Sequence, residues 1–298
     1  MVPDKRKKRL GRAALFAMTF LWGTSFVILK NTLESISTLY ILAVRFTGAA
    51  LIMAAFGVRE WKTADWKYFI GGALMGACLF AAYVFQTYGL VYTTPGKNAF
   101  LTTTYCMIVP FLYWIFRGKK PDGWNITAAV LCVIGVGLIS LDAGMSVNKG
   151  DVLTVICGLF YALHIIVTAA YVRGRSVLLL TAVQFGTAAV LSWVSAILFA
   201  PAPSGAPAGA WLSVAYLCIM CTAVSFGLQA FGQKYSPPSQ TAVIMTLESV
   251  FGAAISVLFF NEQLTVKLFF GFLIMFIAVL ISETKLSFLR RGREGPQE

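Results

Sequence analysis

Three ionisable side chains stand inside long apolar runs of this sequence: Arg45, His164 and Glu248. A charge at the centre of a membrane-spanning helix costs roughly 2.5–3.5 kcal/mol on insertion scales, so each should face protein or a wet cavity. Glu248, close to Thr246 and Ser249, suits either an acid that binds a substrate ammonium or carries a proton, or a structural acid paired with Arg45 or a helix end. Arg45 suits a bidentate grip on a carboxylate, and a zwitterionic amino acid would then lie between Arg45 and Glu248. Its place near the start of its apolar run also allows snorkelling to the outer interface. His164 is the only histidine, so it cannot build a metal site. It either lines a pathway and reports pH, or is a neutral hydrogen-bonded structural group near Tyr161 and Thr168.

Uncharged polar and aromatic candidates accompany these three. Gln86 and Gln229 suit a cavity that hydrogen-bonds a solute without a large desolvation penalty; interhelical bonding explains them nearly as well. Trp22, Tyr83, Tyr105 and Tyr161 are candidates for aromatic walls. The six cysteines all fall within apolar runs, where a small polarizable packing residue is the usual role. Cys218 and Cys221 have redox or metal spacing, yet no second ligand pair accompanies them, and no cofactor or metal site is expected.

These residues need elements that cross a membrane to position them. The chain has 298 residues, 58% hydrophobic and 12% charged, with a mean hydropathy of +0.78. An ordinary soluble domain is about a quarter charged. A spanning helix needs roughly 20 apolar residues. Runs bounded by charge, Pro or Gly predict ten such helices, at 13–30, 38–57, 68–91, 97–116, 124–141, 151–171, 177–199, 211–232, 239–260 and 266–284. Spans 5 and 10 lack interior charge and read as packing or dimer elements, in a monomer or homodimer. Gly72-x-x-x-Gly76 and Gly252-x-x-x-Ser256 predict close helix approach. Pro201 to Ala210 is the longest outer connector and is expected to carry no fold.

A net charge of +12 raises nucleic-acid binding, which the placement of the basic residues excludes. They concentrate in alternate loops: nineteen fall on the side of the termini and four, Lys30, Lys97, Lys149 and Lys267, on the other. The positive-inside rule then puts both termini in the cytoplasm. The basic start resembles a signal peptide but lacks a convincing cleavage site, and reads as an uncleaved first helix.

The chain also matches itself. Gln86 to Leu101 (QTYGLVYTTPGKNAFL) lies over Gln229 to Ile244 (QAFGQKYSPPSQTAVI), so that Gln86 meets Gln229, Gly89 meets Gly232, Tyr92 meets Tyr235 and Pro95 meets Pro238. At a slightly smaller offset Arg45 and Phe46 meet Gln184 and Phe185, and Trp22 meets Tyr161. Spans 1–5 and 6–10 are thus two copies of one unit. An odd number of spans per copy inverts the second copy in the bilayer and places a substrate site between the copies.

The halves resemble the EamA-type repeat of the drug/metabolite transporter superfamily over roughly Arg12 to Thr284. The residues that carry the resemblance are Leu21 to Phe26, Arg45-Phe46, Ala99 to Thr102, Val109-Pro110, Phe160 to Leu163, the turn Tyr235-Ser236-Pro237-Pro238, Leu247 to Val250 and Phe260 to Thr265. Two departures stand out: Glu248-Ser249 where the family often has Glu-Pro, which leaves span 9 straighter, and Gly118-Lys119 where it has Gly-Glu, which removes a loop acid. The resemblance implies an all-α integral membrane fold of ten helices in two inverted five-helix repeats, and a carrier of amino acids, other metabolites or drugs. Members that resemble this chain are mostly exporters in bacterial inner membranes.

The expectation is a basic N-terminus (1–12), a first repeat (13–141), a second (151–284) and a basic tail (285–298). It has no P-loop, and is expected to export a small organic metabolite, an amino acid or related compound, across the lipid bilayer by alternating access. An intramembrane enzyme, built on Ser25 with His164 or on Asp142 with Asp151, and a channel or lipid-linked flippase are the competing readings; neither has a convincing constellation.

Overall fold

Hydrocarbon offers no partner for a backbone amide, so apolar runs of this length close their hydrogen bonds as helices. A computed structural model describes residues 5–118, 120–141, 146–172, 174–235 and 238–285, without the side chains at 63, 230 and 238–243. The helices are α1 (Lys5–Thr32), α2 (Thr38–Phe56), α3 (Trp66–Tyr92), α4 (Pro95–Thr102), α5 (Tyr105–Arg117), α6 (Gly123–Ser140), α7 (Lys149–Tyr171), α8 (Val177–Phe199), α9 (Ala208–Cys218), α10 (Ser225–Tyr235), α11 (Pro238–Phe259) and α12 (Val266–Thr284). The pairs α4–α5 and α9–α10 each form one path, which gives ten. Among the described residues nine paths are long and apolar enough to cross a membrane, and α11 adds the apolar stretch Ile244–Phe259.

Four details differ from the sequence reading. The first helix starts at Lys5 rather than residue 13, because Lys and Arg are good helix formers and the charges project outward along a continued helix. The fourth path breaks at Thr103–Thr104. Their hydroxyls bond back to the carbonyls of Phe100 and Leu101 at 2.6 and 2.8 Å, and this competition tightens and bends the helix. The eighth path contains a π-helical segment, Ile219–Val224, and its extra residue re-aims the groups around it. The connector expected to run unfolded to Ala210 gives way to helix at Ala208. α11 passes unbroken through Ser249, as the loss of a proline there permits. The turn residues Ser236 and Pro237, together with Lys119, Asp142 and the tail beyond Lys285, lie outside the described residues.

Lipid tails are as apolar as leucine, so close packing rather than water exclusion holds these helices together. Small residues supply it at the crossings. A Cβ at Gly72 would lie 2.4 Å from Val183 Cγ1, and one at Gly76 2.4 Å from the Gln184 carbonyl oxygen, so α3 and α8 touch backbone to backbone there. At Gly23 it would meet Phe251 Cβ at 2.6 Å, where α1 crosses α11. The helices of spans 5 and 10, α6 and α12, pack on each other around Gly135, Gly271 and the buried Met275.

The two repeats reproduce each other's contacts with partners exchanged. At an offset of 143 (Gln86 to Gln229) Tyr83 corresponds to Phe226, and at 139 (Arg45 to Gln184) Phe46 corresponds to Phe185 and Tyr161 to Trp22. The rings of Tyr83 and Tyr161 meet at 5.8 Å and 66°; those of Phe226 and Trp22 meet at 5.8 Å and 65°. Phe46 and Tyr83 meet at 5.1 Å and 78°, Phe185 and Phe226 at 5.1 Å and 79°. A Cβ at Gly89 would lie 2.9 Å from the Gly150 oxygen, and one at Gly232 2.9 Å from the Gly11 oxygen.

Candidate functional site

The internal correspondence defines the site, because the candidate residues pair off: Tyr83 with Phe226, Gln86 with Gln229, Tyr105 with Glu248, Trp22 with Tyr161, Arg45 with Gln184. In two of the five pairs, Tyr83 with Phe226 and Gln86 with Gln229, one member is well hydrogen-bonded and its counterpart is not. Gln86 Nε2 donates to Thr102 Oγ1 at 3.1 Å, whereas the equivalent Gln229 Nε2 meets the weak acceptor Met245 Sδ at 4.0 Å. A symmetric scaffold thus carries an asymmetric lining.

Arg45 does not snorkel. It is only 2% exposed, and its Nε donates to Thr222 Oγ1 at 2.6 Å. Its Nη2 faces the Tyr83 hydroxyl at 3.5 Å, and the guanidinium carbon stands 4.8 Å from the Tyr83 ring centroid. A charge-assisted hydrogen bond of about 1.5–3 kcal/mol and a desolvated cation–π contact of about 2 kcal/mol are together of the size of the insertion cost. The cation therefore needs no acid beside it. Among the described residues no ion pair is formed by Arg45.

The expected pairing of Arg45 with Glu248 is not formed, for a reason of layout. Arg45 comes from α2, which packs on α8, the α9–α10 path and α3, whereas Glu248 comes from α11, which packs mainly on α1, α4 and α12 and touches α10. Among the described residues Glu248 makes no hydrogen bond or ion pair, and it is half-buried. Tyr161 stands on α7. Its hydroxyl donates to Gln86 Oε1 at 3.2 Å, and its ring meets Tyr83 at 5.8 Å and Tyr105 at 6.1 Å.

Trp22 closes the other flank. Its Nε1 donates to the Cys221 carbonyl at 3.0 Å inside the π-helical segment, a carbonyl that regular α-helix would leave tied to its own chain. His164 Nε2 shares a hydrogen bond with Gln184 Oε1 at 3.0 Å and stands as a hydrogen-bonded structural group. Ser25 Oγ donates to the Trp22 carbonyl at 2.6 Å, so the serine and histidine of the competing enzyme reading serve other partners.

Thr222, Thr102, Gln184 and Phe226 belong to this lining, and the sequence reading passed over them as site residues. Gln184 and Phe226 stand opposite Arg45 and Tyr83 when the halves are aligned, which is the signal that finds them. Nothing in the sequence marks Thr222, because its role depends on the π-helical turn. Among the described residues no group of three or more His, Cys, Asp or Glu side chains could hold a metal ion.

Comparison with known proteins agrees with this architecture. The EamA-like transporter family matches residues 9–141 and 148–284, one copy on each repeat. An uncharacterized transporter of Archaeoglobus fulgidus is 30% identical over 275 residues, covering 92% of this chain and 86% of that protein. A second uncharacterized transporter of the same organism is 23% identical over 93% of this chain and 97% of its own. A solved crystal structure superposes with a TM-score of 0.68 at 16% identity, covering 98% of this chain and 100% of its own, which shows a shared fold.

Proposed function

Because this chain belongs to the EamA-like transporter family and is a multi-pass membrane protein, we propose that it is a secondary carrier that exports a small zwitterionic metabolite, an amino acid or related compound, by alternating access. One observation carries the substrate reading. Arg45 and Glu248 have opposite charge, come from helices that do not pack closely on each other, and make no bond to each other. A substrate carboxylate on the free edge of Arg45 and an ammonium on Glu248 complete both charges at once. Tyr161, Tyr83, Gln86 and Tyr105 would position the remainder of the solute, with Trp22 and Gln229 on the opposite flank and His164 holding Gln184 in place.

In this reading the two repeats are inverted in the bilayer and rock against each other about the Phe46–Phe185 contact, and the site lies near the midplane. The charge bias supports a cytoplasmic location for both termini, and the family resemblance supports a bacterial inner membrane. A thermal-stability screen of the purified protein tests the substrate class. Amino acids should raise the melting temperature, and analogues lacking either the amino or the carboxyl group should not. Equal stabilisation by the singly charged analogues would refute the zwitterion reading.

A further inference from the structure

The turn between α3 and α4 is held by side chains of the other repeat. Thr93 Oγ1 donates to Asp151 Oδ1 at 2.5 Å, at the start of α7. Thr94 Oγ1 donates to one oxygen of Glu262, just past the end of α11. The other Glu262 oxygen accepts from the Gly96 amide at 3.1 Å and from Ser256 Oγ at 2.5 Å. Asp151 is 1% and Glu262 8% exposed. Thr94 caps α4 and Pro95 opens it, so the Glu262 carboxylate sits on the positive end of that helix. Two cations complete the cluster: Lys97 Nζ lies 3.9 Å from Asp151, and Lys30 donates to the carbonyls of Leu90, Val91 and Thr93 at 2.6, 2.9 and 3.0 Å.

The acids of this connection and the Thr94 hydroxyl have no counterpart in the sequence at the opposite end. In the internal alignment Glu262 corresponds to Lys119, Asp151 to Arg12 and Thr94 to Pro237. The left-handed backbone shared by Asn261 (φ 52°) and Gly118 (φ 72°) marks the first correspondence, and the Gly89–Gly150 and Gly232–Gly11 crossings mark the second. Basic side chains accept no hydroxyl hydrogen bond and repel a helix N-terminus. The ring contacts around Phe46 and Phe185 recur in both repeats, whereas the acids of this connection do not.

α4 also reaches the site. Thr102 accepts from Gln86, which holds Tyr161, and Asn98 Nδ2 donates to the Gln86 carbonyl at 3.1 Å and to Thr154 Oγ1 at 2.8 Å. The helix break at Thr103–Thr104 lies immediately beyond.

We propose that α4 is the outer gate of the carrier, hinged at Thr103–Thr104 and latched shut by Glu262 and Asp151. This rests on the alternating-access reading and on the orientation assigned from charge. Outward release of solute requires both latches to break, and the inner end opens without an equivalent barrier.

The test uses full-length protein in spheroplasts with Cys157 as its sole cysteine. Cys157 is fully buried, with Sγ 3.8 Å from Thr102 Oγ1 under α4. A membrane-impermeant maleimide added outside should label it about tenfold faster in the Glu262→Gln variant, the factor for one lost charge-assisted hydrogen bond. Cys132, packed between α6 and α12 and retained alone in a second background, should stay unlabelled in the same variant. Unchanged labelling of Cys157, or equal gains at both cysteines, overturns the proposal. Independently, a disulfide in the Thr94→Cys/Glu262→Cys variant should abolish flux and reduction should restore it; flux through the fully cross-linked protein overturns it too. Labelling needs no substrate, so its outcome is separate from that of the carrier reading.

Discussion

Phe46 and Phe185 stack with their ring centroids 6.0 Å apart and their planes 22° from parallel, and they are the same residue of the two repeats. Each then carries an edge-to-face ring at 5.1 Å, Tyr83 on Phe46 and Phe226 on Phe185. This contact lies where the duplicated halves meet, with both rings fully buried. Removing either ring should therefore cost the same. Phe46→Ala and Phe185→Ala should each lose about 3 kcal/mol, and the double variant less than the sum because the two share one contact. Unfolding in mixed micelles measures this, and a large inequality between the single variants would contradict the symmetry.

The α3–α8 crossing gives a sharper steric prediction. A methyl at Gly76 meets a backbone oxygen at 2.4 Å, which cannot rotate away, while a methyl at Gly186 has nothing within 4 Å. Gly76→Ala should destabilise by about 1–3 kcal/mol. Gly186→Ala should be neutral in the same thermal assay.

Under the proposed binding of the solute by Arg45, Thr222 acts on the solute through its bond to that guanidinium. Thr222→Val keeps the side-chain volume but removes the acceptor of the 2.6 Å bond, leaving the buried guanidinium free to turn. Affinity for a carboxylate-bearing ligand should fall about tenfold, with Thr222→Ser restoring it. Arg45→Lys should lose more, because an ammonium cannot serve Thr222, the Tyr83 ring and a ligand at once. Isothermal titration of the three variants tests the order.

The exposed pair of Asp122 and Lys285 ties the start of α6 to the end of α12. The Lys285 ammonium and the Asn125 amide hold the Asp122 carboxyl below its usual range. A carboxyl lowered in the folded state stabilises above its unfolded value and loses that contribution as pH falls through the folded one. The change of stability with pH should therefore be confined to strongly acidic solution, and the contribution itself should be small, since both groups face water. Asp122→Asn should leave the melting temperature at neutral pH nearly unchanged and flatten its decline below about pH 4.

Hydropathy and charge were enough to read nearly the whole fold, because a bilayer leaves helices few alternatives and each run must be long enough to cross. Internal similarity found both halves and aligned Gln86 with Gln229 and Trp22 with Tyr161, while Arg45 and Glu248 stood out as charges inside apolar runs and Tyr83 and Tyr105 as aromatic candidates. What stayed hidden depends on backbone geometry within a helix. The break at Thr103–Thr104 arises from hydroxyls competing for carbonyls, and the π-helical turn at Ile219–Val224 gives Trp22 and Arg45 their partners. Neither leaves a periodicity to read. The separation of Arg45 from Glu248 was hidden too, since it depends on which helices are neighbours.

The most direct measurement is counterflow in proteoliposomes loaded with an unlabelled amino acid that stabilises the protein, with the same compound labelled outside. The account expects saturable, trans-stimulated uptake that Arg45→Ala and Glu248→Gln each abolish while the protein remains folded. Flux that neither saturates nor shows counterflow, or that survives in both variants, would contradict it.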